Sequence, residues 1–282
     1  MYTFCIAHYI WKDFLRIVYT ILSLQYYIDL QDKMKKEIVG FVFCGGRGTR
    51  LMPYTEDIPK PILLKQNGKS FLEINIDSLL KLGAREVYVN YSYGRELFEE
   101  IASKYNGILH LIEENEPVGH AKTISSILNK ISDSEYIYTI NGDTIAQLDR
   151  ELYLNQTIEN NTDFSILSGL ETPIEKNLLI DSENNVIGCK SKDQTHLYYN
   201  TQGENTSYAN SLGEYIIKIP TLRAVDPEVR IQDFVGFFGN NDLLEIMANH
   251  NYKIKIFKQK IDSYTSINTI EEYNNFMNNI NA

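Results

Sequence analysis

Between Cys44 and Pro61 the chain reads Cys44-Gly45-Gly46-Arg47-Gly48-Thr49-Arg50-Leu51, then Pro53, then Pro59-Lys60-Pro61. Residues of these types at this spacing suit the handling of a phosphate ester. Gly45, Gly46 and Gly48 allow backbone angles closed to other residues and let amide N–H groups approach phosphate oxygens closely. Arg47 and Arg50 add guanidinium groups that grip phosphate through paired donors. Pro59 and Pro61 stiffen the backbone that presents Lys60. A glycine cluster after a strand can be a plain turn, but that reading leaves the arginines and the Pro-Lys-Pro unexplained. The segment is neither a Walker A loop, since Gly-Lys-Ser/Thr is missing, nor the G-x-G-x-x-G of dinucleotide binders.

A second constellation is Asn141-Gly142-Asp143, which follows the apolar run Tyr136-Ile137-Tyr138-Thr139-Ile140. A carboxylate at the end of a buried strand, beside a phosphate loop, is where Mg²⁺ would bridge triphosphate oxygens. The plainer alternative for Asp143 is a turn residue, and Asp149 reads as a helix cap. The five histidines, His8, His110, His120, His196 and His250, are scattered, and the three cysteines, Cys5, Cys44 and Cys189, show no C-x-x-C spacing. Neither a zinc site nor a disulfide framework is indicated, and a reducing cytoplasm is the simplest setting.

The elements that must position these groups follow from periodicity. Ile38 to Cys44 is an apolar β-rich run, as expected of a buried parallel strand. Phe71 to Leu82 has apolar residues at helical spacing and stops at Gly83. Strands are expected at 86–90, 108–112, 136–140, 213–219 and 253–257. Helices are expected at 96–105, 121–131, 233–250 and 269–279, the last capped by Thr269 with Glu271 and Glu272 in its first turn. Strands alternating with helices predict an α/β fold: a Rossmann-like mixed, mostly parallel sheet with helices on both faces. Both chemical loops leave the carboxyl ends of strands, the edge at which open α/β sheets bind ligands.

The whole chain has 282 residues, 43% of them apolar, and a net charge of −10. That size carries a substantial core, and that charge argues against a nucleic-acid surface. Residues 34–282 read as one domain, and residues 1–33 as an extension. Three readings of the extension stay open: an amphipathic helix packed on the domain or a partner, a misassigned start with Met34 the natural one, or an interfacial membrane helix. The run Ile17 to Leu24 is shorter than the roughly 20 residues of a transmembrane segment, so no such segment is expected.

The Gly45–Leu51 loop with Pro53 and Pro59-Lys60-Pro61 resembles the signature of the sugar-1-phosphate nucleotidyltransferase family, which includes mannose-1-phosphate guanylyltransferases and glucose-1-phosphate thymidylyltransferases. The likeness is specific over 44–65, moderate around 113–144 and weak beyond. It implies that an NTP and a sugar 1-phosphate are converted to pyrophosphate and an NDP-sugar, of the kind used in surface polysaccharide biosynthesis. It further implies that Cys44, Gly45, Gly46, Arg47, Gly48 and Thr49 wrap the phosphates, with Arg50 on the β- and γ-phosphates and Lys60 on the α-phosphate. Glu113, or nearby Glu114, precedes Pro117-Val118-Gly119-His120-Ala121, which resembles the family's Leu-Gly-Thr-Ala base-binding loop with His120 in the Thr position. Asn141-Gly142-Asp143 matches the strand-end motif whose Asp binds Mg²⁺.

On the acceptor side the resemblance implies Lys192, Gly213 and Glu214, with a solvated surface lysine as the alternative for Lys192 and a solvent-facing carboxylate as the alternative for Glu214. The family's second metal ligand is an Asp, and Ser266 stands in its place here. Asp262 is the expected substitute, with Asn268, or Asp143 and phosphates alone, as alternatives. A cytidylyltransferase acting on a phosphocholine-like or phospho-amino-acid acceptor, and a nucleotide-binding pseudo-enzyme or regulatory subunit, remain as competing functions. A homo-oligomer is also left open.

Overall fold

The computed structural model describes residues 38–131, 134–172, 174–190, 196–199, 206–238 and 242–280. The readings made for residues 1–33 and for Lys192 lie outside them.

Strand β1 (Ile38–Phe43) is buried along its whole length. It leads into the glycine loop, a short 3-10 turn (Thr49–Leu51) and the one-turn helix α1 (Lys60–Leu63). A small ribbon, β2 (Lys65–Gln66) with β3 (Lys69–Ser70), hands the chain to α2 (Phe71–Leu82). Ser70 and Glu73 form a reciprocal capping box at the start of α2, and Gly83, with φ 101°, ends it. The next elements are β4 (Val87–Tyr91), α3 (Arg95–Ser103), β5 (Leu109–Glu113), α4 (His120–Ser125) and β6 (Tyr136–Asn141).

Then come β7 (Thr144–Gln147), α5 (Arg150–Glu159), β8 (Phe164–Leu170), β9 (Leu178–Ile180), β10 (Val186–Lys190), β11 (His196–Tyr198) and β12 (Ser207–Ala209). The chain finishes with β13 (Glu214–Lys218), α6 (Ile219–Arg230), α7 (Leu243–Asn249), β14 (Ile254–Lys260), β15 (Ser263–Ser266) and α8 (Ile270–Ile280).

Seven strands form the main sheet in the order β14-β8-β13-β6-β1-β4-β5. All neighbouring pairs are parallel except the two made by β13, which runs antiparallel between β6 and β8. The expected mixed, mostly parallel sheet is therefore present. Alternate residues of β1 serve the two faces: Val39, Phe41 and Phe43 join α4, α6 and α7 in one core, while Ile38 and Val42 join α2, α3 and α5 in the other. A four-stranded antiparallel sheet, β11-β10-β9-β12, forms a separate layer.

Some expectations are corrected. The helix expected over 121–131 stops at Ser125, and that over 233–250 shrinks to α7. Helix α6 (Ile219–Arg230) was not among the expected helices; Pro220 sits in its first turn, where its missing N–H costs nothing, and Pro227 lies inside it. Asp149 caps α5 by accepting from the Leu152 N–H, and Thr269 caps α8 by accepting from the Glu272 N–H, both as expected.

Candidate active site

Parallel pairing of β1 with β6 sets Phe43 beside Asn141, and the Gly142 N–H donates to the Phe43 carbonyl at 2.9 Å. The glycine loop and the Asn141–Asp143 turn thus leave the same edge of the sheet. Between them lies a cleft of about 220 Å³ lined by Gly46, Gly48, Thr49, Arg50, Lys60, Asp143 and Asn268 among others. The Lys60 ammonium donates to Asp143 Oδ2 at 2.6 Å and to Asn268 Oδ1 at 3.2 Å, and Arg50 Nη2 donates to the same amide oxygen at 3.0 Å. Two cations, one carboxylate and one neutral carboxamide therefore form a continuous chain across the cleft.

The loop is braced from behind by the turn between β4 and α3. Tyr93 Oη donates to the Thr55 carbonyl at 2.9 Å and to the Arg47 carbonyl at 3.4 Å, while the buried Thr55 hydroxyl donates to the Gly48 carbonyl at 2.8 Å. Gly94, with φ 73°, supports the Pro-Lys-Pro corner, since a Cβ there would stand 2.6 Å from Pro59 Cγ. Burial pushes the Cys44 thiol well above its usual pKa, and the charge of Asp143 pushes it further. Cys44 is thus a neutral wall residue, and its N–H is held by Asn90 Oδ1 at 2.9 Å.

A second cavity of about 310 Å³ shares Phe43, Gly46 and Asp143 with the first and is also lined by Glu114, Gly119, His120 and Phe234. Glu113 does not belong to it. That side chain is half exposed and lies 3.5 Å from Arg95, while the following residue turns inward, as alternation at a strand end requires. The Glu114 carboxylate accepts from Asn90 Nδ2 at 2.9 Å and from the Thr123 hydroxyl. His120 opens α4 with its ring edge-on to Phe43 at 4.4 Å and 5.2 Å from Phe237. Desolvation by the surrounding rings lowers its pKa, against a smaller opposing pull from Asp143, while one side of the residue stays exposed.

The acceptor-side expectations fare differently. Glu214 is buried and faces neither a sugar nor solvent: Arg150 Nη2 donates to it at 2.6 Å, Arg150 Nε at 3.1 Å and Tyr138 Oη at 2.6 Å. It points into the layer beneath α5, where a carboxylate persists only if paired. Gly213, with φ 79°, acts through Asn141, because a Cβ there would fall 2.5 Å from Asn141 Nδ2.

Asp262 begins the β15 arm, and its N–H bonds the Gln147 carbonyl at 3.0 Å, whereas Ser266 pairs with Thr144 beside Asp143. Four residues of strand separate Asp262 from that end, roughly 13 Å at strand rise. Asp262 lines neither cavity. Asn268 stands beside Asp143 instead, its Nδ2 donating to Ser266 Oγ at 3.1 Å.

Among the described residues no group of three or more His, Cys, Asp or Glu side chains could hold a metal. Asp143 and Asn268 nevertheless offer hard oxygen donors of the kind Mg²⁺ takes when substrate phosphates and water complete its shell. Sequence reasoning missed Asn90, Tyr93, Thr55, Thr123 and Phe234. Only Asn90 left a signal, a polar residue ending the apolar run Val87-Tyr88-Val89.

The family model described as nucleotidyl transferase matches residues 39–177. The D-glycero-alpha-D-manno-heptose 1-phosphate guanylyltransferase of Campylobacter jejuni is 36% identical over 119 residues, covering 41% of this chain and 52% of that protein. The bifunctional protein GlmU of Methanococcus aeolicus is 31% identical over 152 residues, 54% of this chain and 35% of that protein. The chain thus spans about half the length of the first relative, 52%, and about a third of the second, 35%. Among solved structures, HddC from Yersinia pseudotuberculosis shares the fold at a TM-score of 0.62 and 23% identity, covering 85% of this chain and 98% of that one. The inositol-1-phosphate CTP transferase from T. maritima does so at 0.65 and 16%, covering 87% and 96%. Among the described residues no helix is long and apolar enough to cross a membrane.

Proposed function

We propose that this chain, whose residues 39–177 belong to the nucleotidyl transferase family, transfers a nucleoside monophosphate from an NTP to a sugar 1-phosphate, forming an NDP-sugar and pyrophosphate. The observation that carries the reading is the Arg50–Asn268–Lys60–Asp143 chain across the glycine-lined cleft. An acceptor phosphate oxygen attacks the α-phosphorus in line. A new P–O bond forms as the bond to the β-phosphate bridging oxygen breaks, and pyrophosphate leaves with that electron pair. A phosphate dianion is already nucleophilic, so positioning and charge neutralisation carry the rate.

The glycine-loop amides and Arg50 hold the departing β- and γ-phosphates, and Lys60 turns from Asp143 to the α-phosphate. Asp143 and Asn268 would hold Mg²⁺, which supplies further neutralisation of the triphosphate. Cys44 and Cys189 are buried and form no disulfide among the described residues, which accords with a reducing compartment such as the cytoplasm.

Glu114 favours guanine as the base. Its carboxylate, oriented by Asn90 and Thr123, retains lone pairs for two adjacent donors. Guanine presents N1–H and N2–H₂ side by side, whereas uracil and cytosine present one donor group next to acceptors. The likeness to a heptose 1-phosphate guanylyltransferase agrees with this choice.

A pyrophosphate-release screen of GTP, ATP, CTP, UTP and dTTP against sugar 1-phosphates and amino-alcohol phosphates tests the proposal. GTP with a sugar 1-phosphate is the expected productive pair. Release only with CTP and an amino-alcohol phosphate would move the chain to the cytidylyltransferases. Nucleotide binding without release on any acceptor would make it a pseudo-enzyme.

A further inference from the structure

We infer that Phe234 roofs the nucleobase of the bound triphosphate, adding affinity through contact with the base face while Glu114 reads its edge. This rests on the nucleotidyltransferase reading of the site. Phe234 lines the 310 Å³ cavity that also holds Glu114 and Gly119, yet it is 57% exposed, whereas Val235 and Phe237 after it are 0% and 2% exposed.

Its position is fixed by the backbone on either side. The Val235 N–H donates to the Val118 carbonyl at 3.0 Å, and the Ala121 N–H donates to the Val235 carbonyl at 3.1 Å. The Lys122 ammonium donates to the Gln232 carbonyl, and the Gly236 N–H donates to Asp242 Oδ1 at 2.6 Å. Gly119, with φ 89°, makes this docking feasible, since a Cβ there would fall 2.4 Å from the Val235 oxygen.

A phenyl group anchored this firmly, left uncovered at the mouth of a cavity whose floor carries a carboxylate, matches a planar ligand with a polar edge. Pockets of this kind pair an apolar wall with a few placed polar groups. Every nucleobase offers a π-face, so the contact raises affinity for nucleotides generally, and discrimination among bases stays with Glu114.

The test is calorimetric titration of the full chain, without acceptor, with GTP and separately with inorganic tripolyphosphate. Phe234→Ala is expected to weaken GTP binding by roughly 5- to 150-fold, the range for losing one base–aromatic stack, and to leave tripolyphosphate binding unchanged. Phe234→Trp should keep GTP affinity and report it through quenched indole emission, the chain's other tryptophan being Trp11. Unchanged GTP affinity in Phe234→Ala, or equal losses for GTP and tripolyphosphate, would overturn the inference while leaving the transferase reading intact. Failure of the unaltered chain to bind either compound would overturn both.

Discussion

Two cation–carboxylate pairs of the same length have opposite circumstances. Lys60 meets Asp143 at 2.6 Å at the edge of the cleft, with side chains 8% and 35% exposed; Arg150 meets Glu214 at 2.6 Å inside the core, with 14% and 3% exposed. The first pair is held by partners that a ligand can replace: its ammonium turns to a phosphate, and its carboxylate opens to the cleft. The second has its carboxylate shut in: Glu214 is 3% exposed and held by Tyr138 and Arg150, while Arg150 also donates to the Ala146 carbonyl. Access, not bond length, separates a working pair from a structural one.

The largest effect expected is on the closed pair. Glu214→Gln leaves the Arg150 charge buried and poorly matched, and should cost about 3–5 kcal/mol of stability in denaturant melts, while the folded fraction binds GTP normally. A changed acceptor KM with unchanged stability would return Glu214 to the acceptor site. At the open pair the balance reverses. Asp143→Asn, like Arg50→Ala, should lower pyrophosphate release by at least about 100-fold, the scale of losing a transition-state charge contact, with a smaller stability loss than Glu214→Gln.

Smaller effects probe what surrounds the open pair. Tyr93→Phe removes hydrogen bonds to the Thr55 and Arg47 carbonyls. It should raise the triphosphate KM roughly 2- to 10-fold, the net worth of one such bond, without altering the acceptor KM. Asn268→Ala should raise the Mg²⁺ concentration needed for half-maximal rate, whereas Asp262→Ala should leave it unchanged and shift stability within about 0.5 kcal/mol. The reverse pattern would restore Asp262 as a ligand.

A pH-dependent effect belongs to Glu73, far from either pair. Partial burial pushes its carboxyl up, but hydrogen bonds from Ser70 and Lys104 outweigh it and hold the pKa at about 2, against 4.5 unperturbed. A folded pKa below the unfolded value means that the stability Glu73 adds is complete above about pH 4.5 and drains as pH falls toward 2. The difference in melting temperature between the unaltered chain and Glu73→Gln should shrink across that window.

The open pair was legible in the sequence and the closed pair was not, for a physical reason. Lys60 and Asp143 lie on loops that leave neighbouring parallel strands, so local signals (glycines, prolines, a strand end) place them at one edge. Glu214 is on β13, whose antiparallel insertion between β6 and β8 is a long-range pairing, and a single step along the strand decides whether its side chain meets the cleft or the core. The same one-residue alternation decides between Glu113 and Glu114, which the sequence left open, and it is Glu114 that lines the cavity. The place of Asp262 is hidden in the same way: its distance from Asp143 depends on the register of β15 against β7, which short-range periodicity does not reveal. The sheet itself was foreseen from alternating strands and helices, while α6 was not, its Pro220 lying in the first turn and its Pro227 in the interior.

The central claim, attack at the α-phosphorus of a triphosphate held by the glycine loop, is tested most directly with GTP labelled at the α- or the γ-phosphorus, incubated with a sugar 1-phosphate. Attack at the α-phosphorus puts the α-label in the nucleotide sugar and the γ-label in pyrophosphate, with both transfers lost in Asp143→Asn. Appearance of the γ-label in orthophosphate or in the acceptor, or near-normal transfer in Asp143→Asn, would contradict it.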